Sequence, residues 1–323
     1  MEIGFTLSSE EQGPKELVHL ARGAEEAGFS FATISDHFHP WTSHQGNSPF
    51  VWSVLGAIAE ATSQIRVGTA VTWRLIRIHP AIVAQAAATV ADDARSLLPW
   101  CRYRREPQRA RDWSTLALRQ RTTRTPEGGE VVRSLWAGGL VEHRGPGYQV
   151  IDAQLTLPSE PPPIYVAAAG PIAARFAGEI GDGLIGTAPE QEVVASFIEH
   201  GGSTKPKLGQ LTVCWGPDER TALDIAMRWW PIAAVNGELM QELPMPRHFE
   251  QATEMVTRDR LKEVVVCGAD PSRYLEAIGT FEAAGYDHIF IHRVGPDQEK
   301  GLGFLAEEVL PQLKHPEASR EAS

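Results

Sequence analysis

The sequence predicts an α/β chain folded as a (β/α)8 TIM barrel, and three observations carry that expectation. Strand-like and helix-like stretches alternate almost from end to end, a rhythm that calls for a parallel sheet. No GxGxxG follows the first strand, which argues against a dinucleotide-binding open sheet. Polar and aromatic residues gather just after several different strands, at Asp36-His37, Thr72-Trp73, Gly170-Pro171 and Thr187. Sites spread over many strand C-termini are the habit of a closed barrel.

The elements follow in order. Glu2–Leu7 alternates as a strand, and Pro14–Ala27 sets Leu17, Leu20, Ala21, Ala24 and Ala27 at helical spacing before Gly28 stops it. Strand Ser30–Ser35 leads through a polar loop, 36–49, to the helix Val51–Thr62. Strand Ile65–Thr72 leads to the Ala-rich helix Pro80–Val90, with proline at its start. In the second half, strands are expected at Ile164–Ala169, Leu184–Thr187, Gln210–Trp215, Glu263–Cys267 and His288–His292. Helices are expected at Ile172–Ile180, Gln191–His200, Ala222–Val235 and Pro271–Ala284. One domain over 1–314 and a polar tail over 315–323 complete the plan.

Composition narrows the function. With 30 Lys+Arg against 41 Asp+Glu the formal charge is −11, which opposes nucleic-acid binding, where the protein surface must be basic. No apolar run is long enough for a membrane span, and Met1–Gly4 does not open a signal peptide. Cys101, Cys214 and Cys267 are odd in number and widely spaced, as suits a reducing cytoplasm. His39, His44 and His79 lack metal-like spacing, so no metal is expected.

The string Ser35-Asp36-His37-Phe38-His39-Pro40-Trp41 resembles that of the luciferase-like oxidoreductases that use the deazaflavin coenzyme F420, in the branch of the F420-dependent glucose-6-phosphate dehydrogenases. Gly68–Val71, His79–Gln85, Ile164–Pro171 and Gly178–Gly183 are similar in the same order. The resemblance implies a homodimeric barrel with the coenzyme at its C-terminal mouth, acting on an alcohol or aldehyde. It implies that Asp36 contacts the coenzyme, that His37 is the catalytic base, and that Trp41 shapes the substrate side. Ala70-Val71 would carry a non-prolyl cis peptide against the ring, and Ala169 and Gly170 would bind the phosphate end. Imidazole suits the base's role because its pKa lies near neutrality. Where the branch holds a sugar phosphate with lysines, this chain has Glu190 and Gln251, so a neutral substrate is expected. Two other readings stay open: an FMN-dependent luciferase-like monooxygenase, and a catalytically inactive binding protein.

One stretch breaks the pattern. From Arg95 to Arg124 there are nine arginines, no lysine, and only Glu106 and Asp112 to balance them, with no strand evident where the fourth should stand. Codons read from the second base of the Asp93 codon permit Met-Pro-Gly-Arg-Phe-Phe-Leu-Gly-Val-Gly-Thr-Gly-Glu, then Gly and Trp-Pro downstream. That run is similar to the family's fourth strand and its Gly-Thr-Gly-Glu coenzyme loop. Residues 93–125 are therefore expected to be out of frame, leaving the barrel defective around strand 4 and its activity impaired. In-frame character returns near Glu130–Trp136.

Overall fold

The computed structural model describes residues 1–72, 77–93, 97–98, 100–102, 118–157, 160–235 and 237–314. Among the described residues twelve strands are laid down: β1 (Glu2–Leu7), β2 (Phe31–Ile34), β3 (Arg66–Thr69), β4 (Leu97–Leu98), β5 (Trp100–Arg102), β6 (Val141–Arg144), β7 (Gln149–Ala153), β8 (Tyr165–Ala167), β9 (Gly183–Gly186), β10 (Lys207–Cys214), β11 (Val266–Cys267) and β12 (His288–Arg293). The main sheet runs β4-β3-β2-β1-β12-β10-β9-β8-β5, parallel throughout, with β11 branching from β10. Because β4 pairs with β3, β5 pairs with β8, and one residue separates β4 from β5, the order returns on itself. The result is the expected (β/α)8 barrel.

The fourth position corrects one expectation. A strand does stand there, short and in two pieces, with Val67 opposite Leu97 and Trp100 opposite Tyr165. Most of the remainder of the arginine-rich stretch, 94–96, 99 and 103–117, lies outside the described residues, as does the 315–323 tail.

The helices are α1 (Pro14–Glu26), α2 (Val51–Ala61), α3 (Pro80–Asp93), α4 (Leu118–Trp136), α5 (Pro171–Ile180), α6 (Gln191–Phe197), α7 (Glu219–Trp229), α8 (Gly237–Glu242), α9 (Pro246–Thr253), α10 (Arg258–Lys262), α11 (Pro271–Ala283), α12 (Gln298–Phe304) and α13 (Leu310–Lys314). α1, α5 and α11 begin on proline, whose missing N–H is one that a helix start leaves unbonded anyway. The helix expected over 222–235 begins earlier, at an Asp218 cap that accepts from Thr221 N–H, and ends at Trp229. Pro231 forces that end, since it disfavours helical backbone at the residue before it. The strand expected over 263–267 shrinks to Val266–Cys267, because Val264 and Val265 still bond back to Leu261. An unforeseen antiparallel hairpin, β6–β7, is anchored by buried Glu127, which accepts from Gly147 and Tyr148 N–H.

Alternation along the strands divides the core. Ile3, Phe5 and Leu7 point outward and pack with the helical stripe Leu17, Leu20, Ala21 and Ala24. Phe31, Tyr165, Ile185, Leu208 and Phe290 fill the barrel's interior. Gly4 faces the same interior, and a Cβ built there lands in the ring of Phe31. Gly4→Val should therefore overpack that layer and cost about 1–3 kcal/mol, read as a lower urea midpoint. An unchanged midpoint would mean that the layer has slack.

Candidate active site

The residues that follow β1 and β2 meet at the C-terminal mouth. Register places Leu7 opposite Ile34, so Ser8 and Ser9 emerge beside Ser35. Ser9 N–H donates to Ser35 Oγ at 2.9 Å, and Ser9 Oγ donates to the Ser35 carbonyl at 2.6 Å. The Ser35 hydroxyl donates to Glu10 Oε2 at 2.5 Å, and Ser8 Oγ adds a longer bond of 3.3 Å. The other oxygen, Glu10 Oε1, lies 3.0 Å from Nδ1 of His37, an ion-pair contact outside hydrogen-bond geometry. Glu10 and His37 are both buried.

The loop bearing His37 is tied down on several sides. Asn47 N–H donates to the Glu10 carbonyl and Ser48 Oγ to the His37 carbonyl. Gln45 Oε1 accepts from Trp41 N–H, while its amide donates to the Trp229 carbonyl at the end of α7. Trp41 stands edge-on to the His37 ring at 4.7 Å and to Phe249 at 5.1 Å. His37 and Trp41 are thus brought together, with Trp41 as a wall beside the imidazole.

Asp36 points away from His37's carboxylate partner and into the loop after β3. Its Oδ2 accepts from Thr72 Oγ1 at 2.7 Å, and its Oδ1 pairs with Arg77. Burial pushes its carboxyl above the ordinary aspartate value, against the pull of Arg77 and Thr72. Both oxygens are thus engaged within the chain, a structural duty the sequence did not reveal. The Ala70–Val71 peptide bond, just before Thr72, is cis. Residues 73–76, which include the Trp73-Arg74-Leu75 departure, lie outside the described residues.

Ala169 and Gly170 sit across the mouth, at the start of α5. Ala169 is exposed, and no side chain caps the helix. A Cβ at Gly170 would meet nothing. The N–H groups that the start of this ten-residue helix leaves unbonded are a donor set that suits a phosphate. Glu190 and Gln251 are both exposed.

Three buried residues escaped the sequence reading. Glu10 is one. Glu11 is another: its Oε1 accepts from Gly295 N–H at 2.9 Å, and Gly295's carbonyl accepts from Arg293 Nη1 at 2.6 Å. The third, His292, is the next-to-last residue of β12 and stands edge-on to Trp230 at 4.5 Å. The available signal was position alone, since Ser8–Glu11 and His292 stand at strand C-termini. A surface groove of about 560 Å³ lined by Glu219, Asp224, Arg258 and Lys262 lies elsewhere, and those charges pair with one another.

Comparison with known proteins places the chain. The family model described as luciferase-like monooxygenase matches residues 1–288. The chain belongs to this family. It is 30% identical over 332 residues to the F420-dependent glucose-6-phosphate dehydrogenase of Segniliparus rotundus, covering 97% of this chain and 98% of that one. The enzyme of the same name from Mycobacterium tuberculosis is 27% identical over 340 residues, with 97% and 98% covered. Among solved structures, an F420-dependent secondary alcohol dehydrogenase bound to an F420–acetone adduct superposes with a TM-score of 0.88 at 26% identity, over 96% of this chain and 98% of that one. This luciferase-like fold is the one expected. Among the described residues no helix is long and apolar enough to cross a membrane.

Titration of the buried groups gives the site a signature. Burial pushes Glu11 from 4.5 up to about 8, with Gly295 N–H pulling the other way. Its stabilising contribution is full below pH 4.5 and is lost as pH rises through about 8. His292 is opposite: burial lowers it from 6.5 to about 4, so its contribution is full above pH 6.5 and fades as pH falls. Between pH 6.5 and about 8, the urea midpoint should fall as Glu11 ionises. Glu11→Gln should flatten that limb; the same slope in the variant would assign it to another group.

Proposed function

We propose that this protein is an F420-dependent oxidoreductase that moves a hydride between an alcohol or aldehyde-type carbon and the deazaflavin. The observation that carries the reading is the buried Glu10–His37 contact at the barrel mouth, walled by Trp41 and close in sequence to Asp36. The similarity to F420-dependent dehydrogenases over nearly the whole chain supports it. When bound, F420 supplies the hydride acceptor or donor.

Several residues would hold the coenzyme. The first turn of α5, with Ala169 and Gly170, offers N–H groups to its phosphate end. Ala70 and Val71 present backbone and small side chains to its ring. Asp36 fixes the loop that carries them, through Thr72 and Arg77. His37 takes the hydroxyl proton of the substrate as the C–H bond is broken, and the Glu10 carboxylate steadies the positive charge left on the imidazole. Trp41 excludes water from that side.

The substrate reading is a neutral alcohol or aldehyde, since the sugar-phosphate lysines are replaced by Glu190 and Gln251. Phe38, Phe50 and Ile82, each about half exposed, supply apolar surface for a homodimer. A cytoplasmic setting agrees with the cysteine usage.

Two outcomes test the reading, both followed as loss of the oxidised deazaflavin's absorbance with a panel of alcohols. In the version with the frame restored across 93–125, His37→Ala should lower turnover on the order of 100-fold or more and change coenzyme affinity far less. Unchanged turnover would remove His37's role. The chain as written should turn over little or not at all, whereas a version with the frame restored across 93–125 should be active. Equal rates would make that stretch a functional part of the protein. Reduction of FMN in place of F420 would favour the monooxygenase reading instead.

A further inference from the structure

Two cysteines that lie far apart in the sequence meet in the fold. Cys214 ends β10 and Cys267 ends β11, and the register of this parallel pair sets one opposite the other. Neighbouring strands run about 4.8 Å apart, inside the range of about 4.4–6.8 Å that a disulfide needs between its Cα atoms. Both side chains are buried in one cluster, so they face the same side, and Cys267 acts electrostatically on Cys214. Neither thiol is tied firmly. Cys214 Sγ reaches the Trp215 carbonyl at 4.0 Å and Cys267 Sγ the Val265 carbonyl at 3.6 Å, and a thiol is a weak donor.

Burial pushes both thiols up, Cys214 to about 12 and Cys267 to about 11, so the pair is inert while the fold is shut. The way in is β11. It is two residues long, and among the described residues it pairs with β10 alone. A strand held by so few ladder bonds opens locally at far less cost than the barrel as a whole. Arg273 and Lys262 lie within electrostatic range of Cys267, with Glu219 opposing them. Once β11 lifts and burial is relieved, those cations favour the Cys267 thiolate. Cys214 stays in place, because β10 is also paired to β12 over six residue pairs.

We propose that Cys214 and Cys267 are a modification site, a reversible disulfide formed with a hydroperoxide as the oxidant. The Cys267 thiolate attacks the peroxide, and an S–O bond forms as the O–O bond breaks. The second oxygen leaves as water, or as an alcohol from an organic hydroperoxide. Cys214 then attacks the sulfenic sulfur of Cys267, the S–O bond breaks with loss of water, and the S–S bond forms. Two thiols are oxidised, one peroxide is reduced, and the two thiol protons end on the departing oxygens. In a reducing cytoplasm such a bond is transient. It fastens the excursion between β10 and β11, which carries Phe249 against Trp41, and so stiffens the wall beside His37.

The test treats the full, reduced chain with hydrogen peroxide in native buffer, blocks the remaining thiols, digests the protein and maps its peptides by mass. The Cys214 and Cys267 peptides should be joined, lighter by two hydrogens than their sum, and dithiothreitol should part them. The joined chain should have a higher urea midpoint than the reduced one. Cys214→Ser should leave Cys267 as a sulfenic acid that dimedone labels. Should that variant fail to fold, the joined peptide from the unaltered chain decides alone. Two thiols still reduced, two thiols oxidised without joining, or a bond to Cys101 or between two chains would overturn the proposal. So would joining that appears only in urea above the midpoint. No step of this test involves F420, so the coenzyme reading stands or falls apart from it.

Discussion

The mouth of the barrel is organised around one contact, the Glu10 carboxylate against the His37 imidazole. A carboxylate out of water is costly, and here the cost is offset by two serine hydroxyls and the facing ring. Those hydroxyls reach Glu10 only because β1 and β2 pair in one register. A slip by one residue would turn Ser8 and Ser35 to the other face and leave the charge unmatched. The loop after β2 then closes over the pair through Asn47, Ser48 and Gln45, which also fixes Trp41. Site and barrel are one arrangement: parallel pairing places the serines, the serines hold the carboxylate, and the carboxylate faces the imidazole.

Much of the fold was legible in the sequence because it rests on local rules. Proline at helix starts, Gly28 after α1 and the Leu17–Ala24 stripe each state their own structure. The errors arose where neighbours override local pattern. Helical bonding persists to Val265 and shortens β11, and Pro231 cuts the apolar run of α7. Of the site, the residues in the Asp36–Trp41 string could be read because the string is distinctive. Glu10, Glu11 and His292 could not, since single buried polar residues become a site only once the barrel brings strands 1, 2 and 12 together.

Asp36 shows how a residue's role can widen once its neighbours are known. Its carboxylate ties the loop after β3 to the end of β2 through Thr72 and Arg77. The cis Ala70–Val71 bond is carried in that loop, so Asp36 holds that backbone in place from the end of β2. The fourth strand shows the converse. Two short strands close the barrel there, with little of the pairing that β10 and β12 share over six residue pairs.

The most direct measurement is the fate of deuterium. A secondary alcohol deuterated at its carbinol carbon would be incubated with F420 and the frame-restored protein, the present chain alongside, and the reduced coenzyme examined by NMR. The account predicts deuterium on the reduced deazaflavin, formed with the restored protein and abolished by His37→Ala. Label released to solvent, or reduced coenzyme without deuterium, would contradict direct hydride transfer at this site.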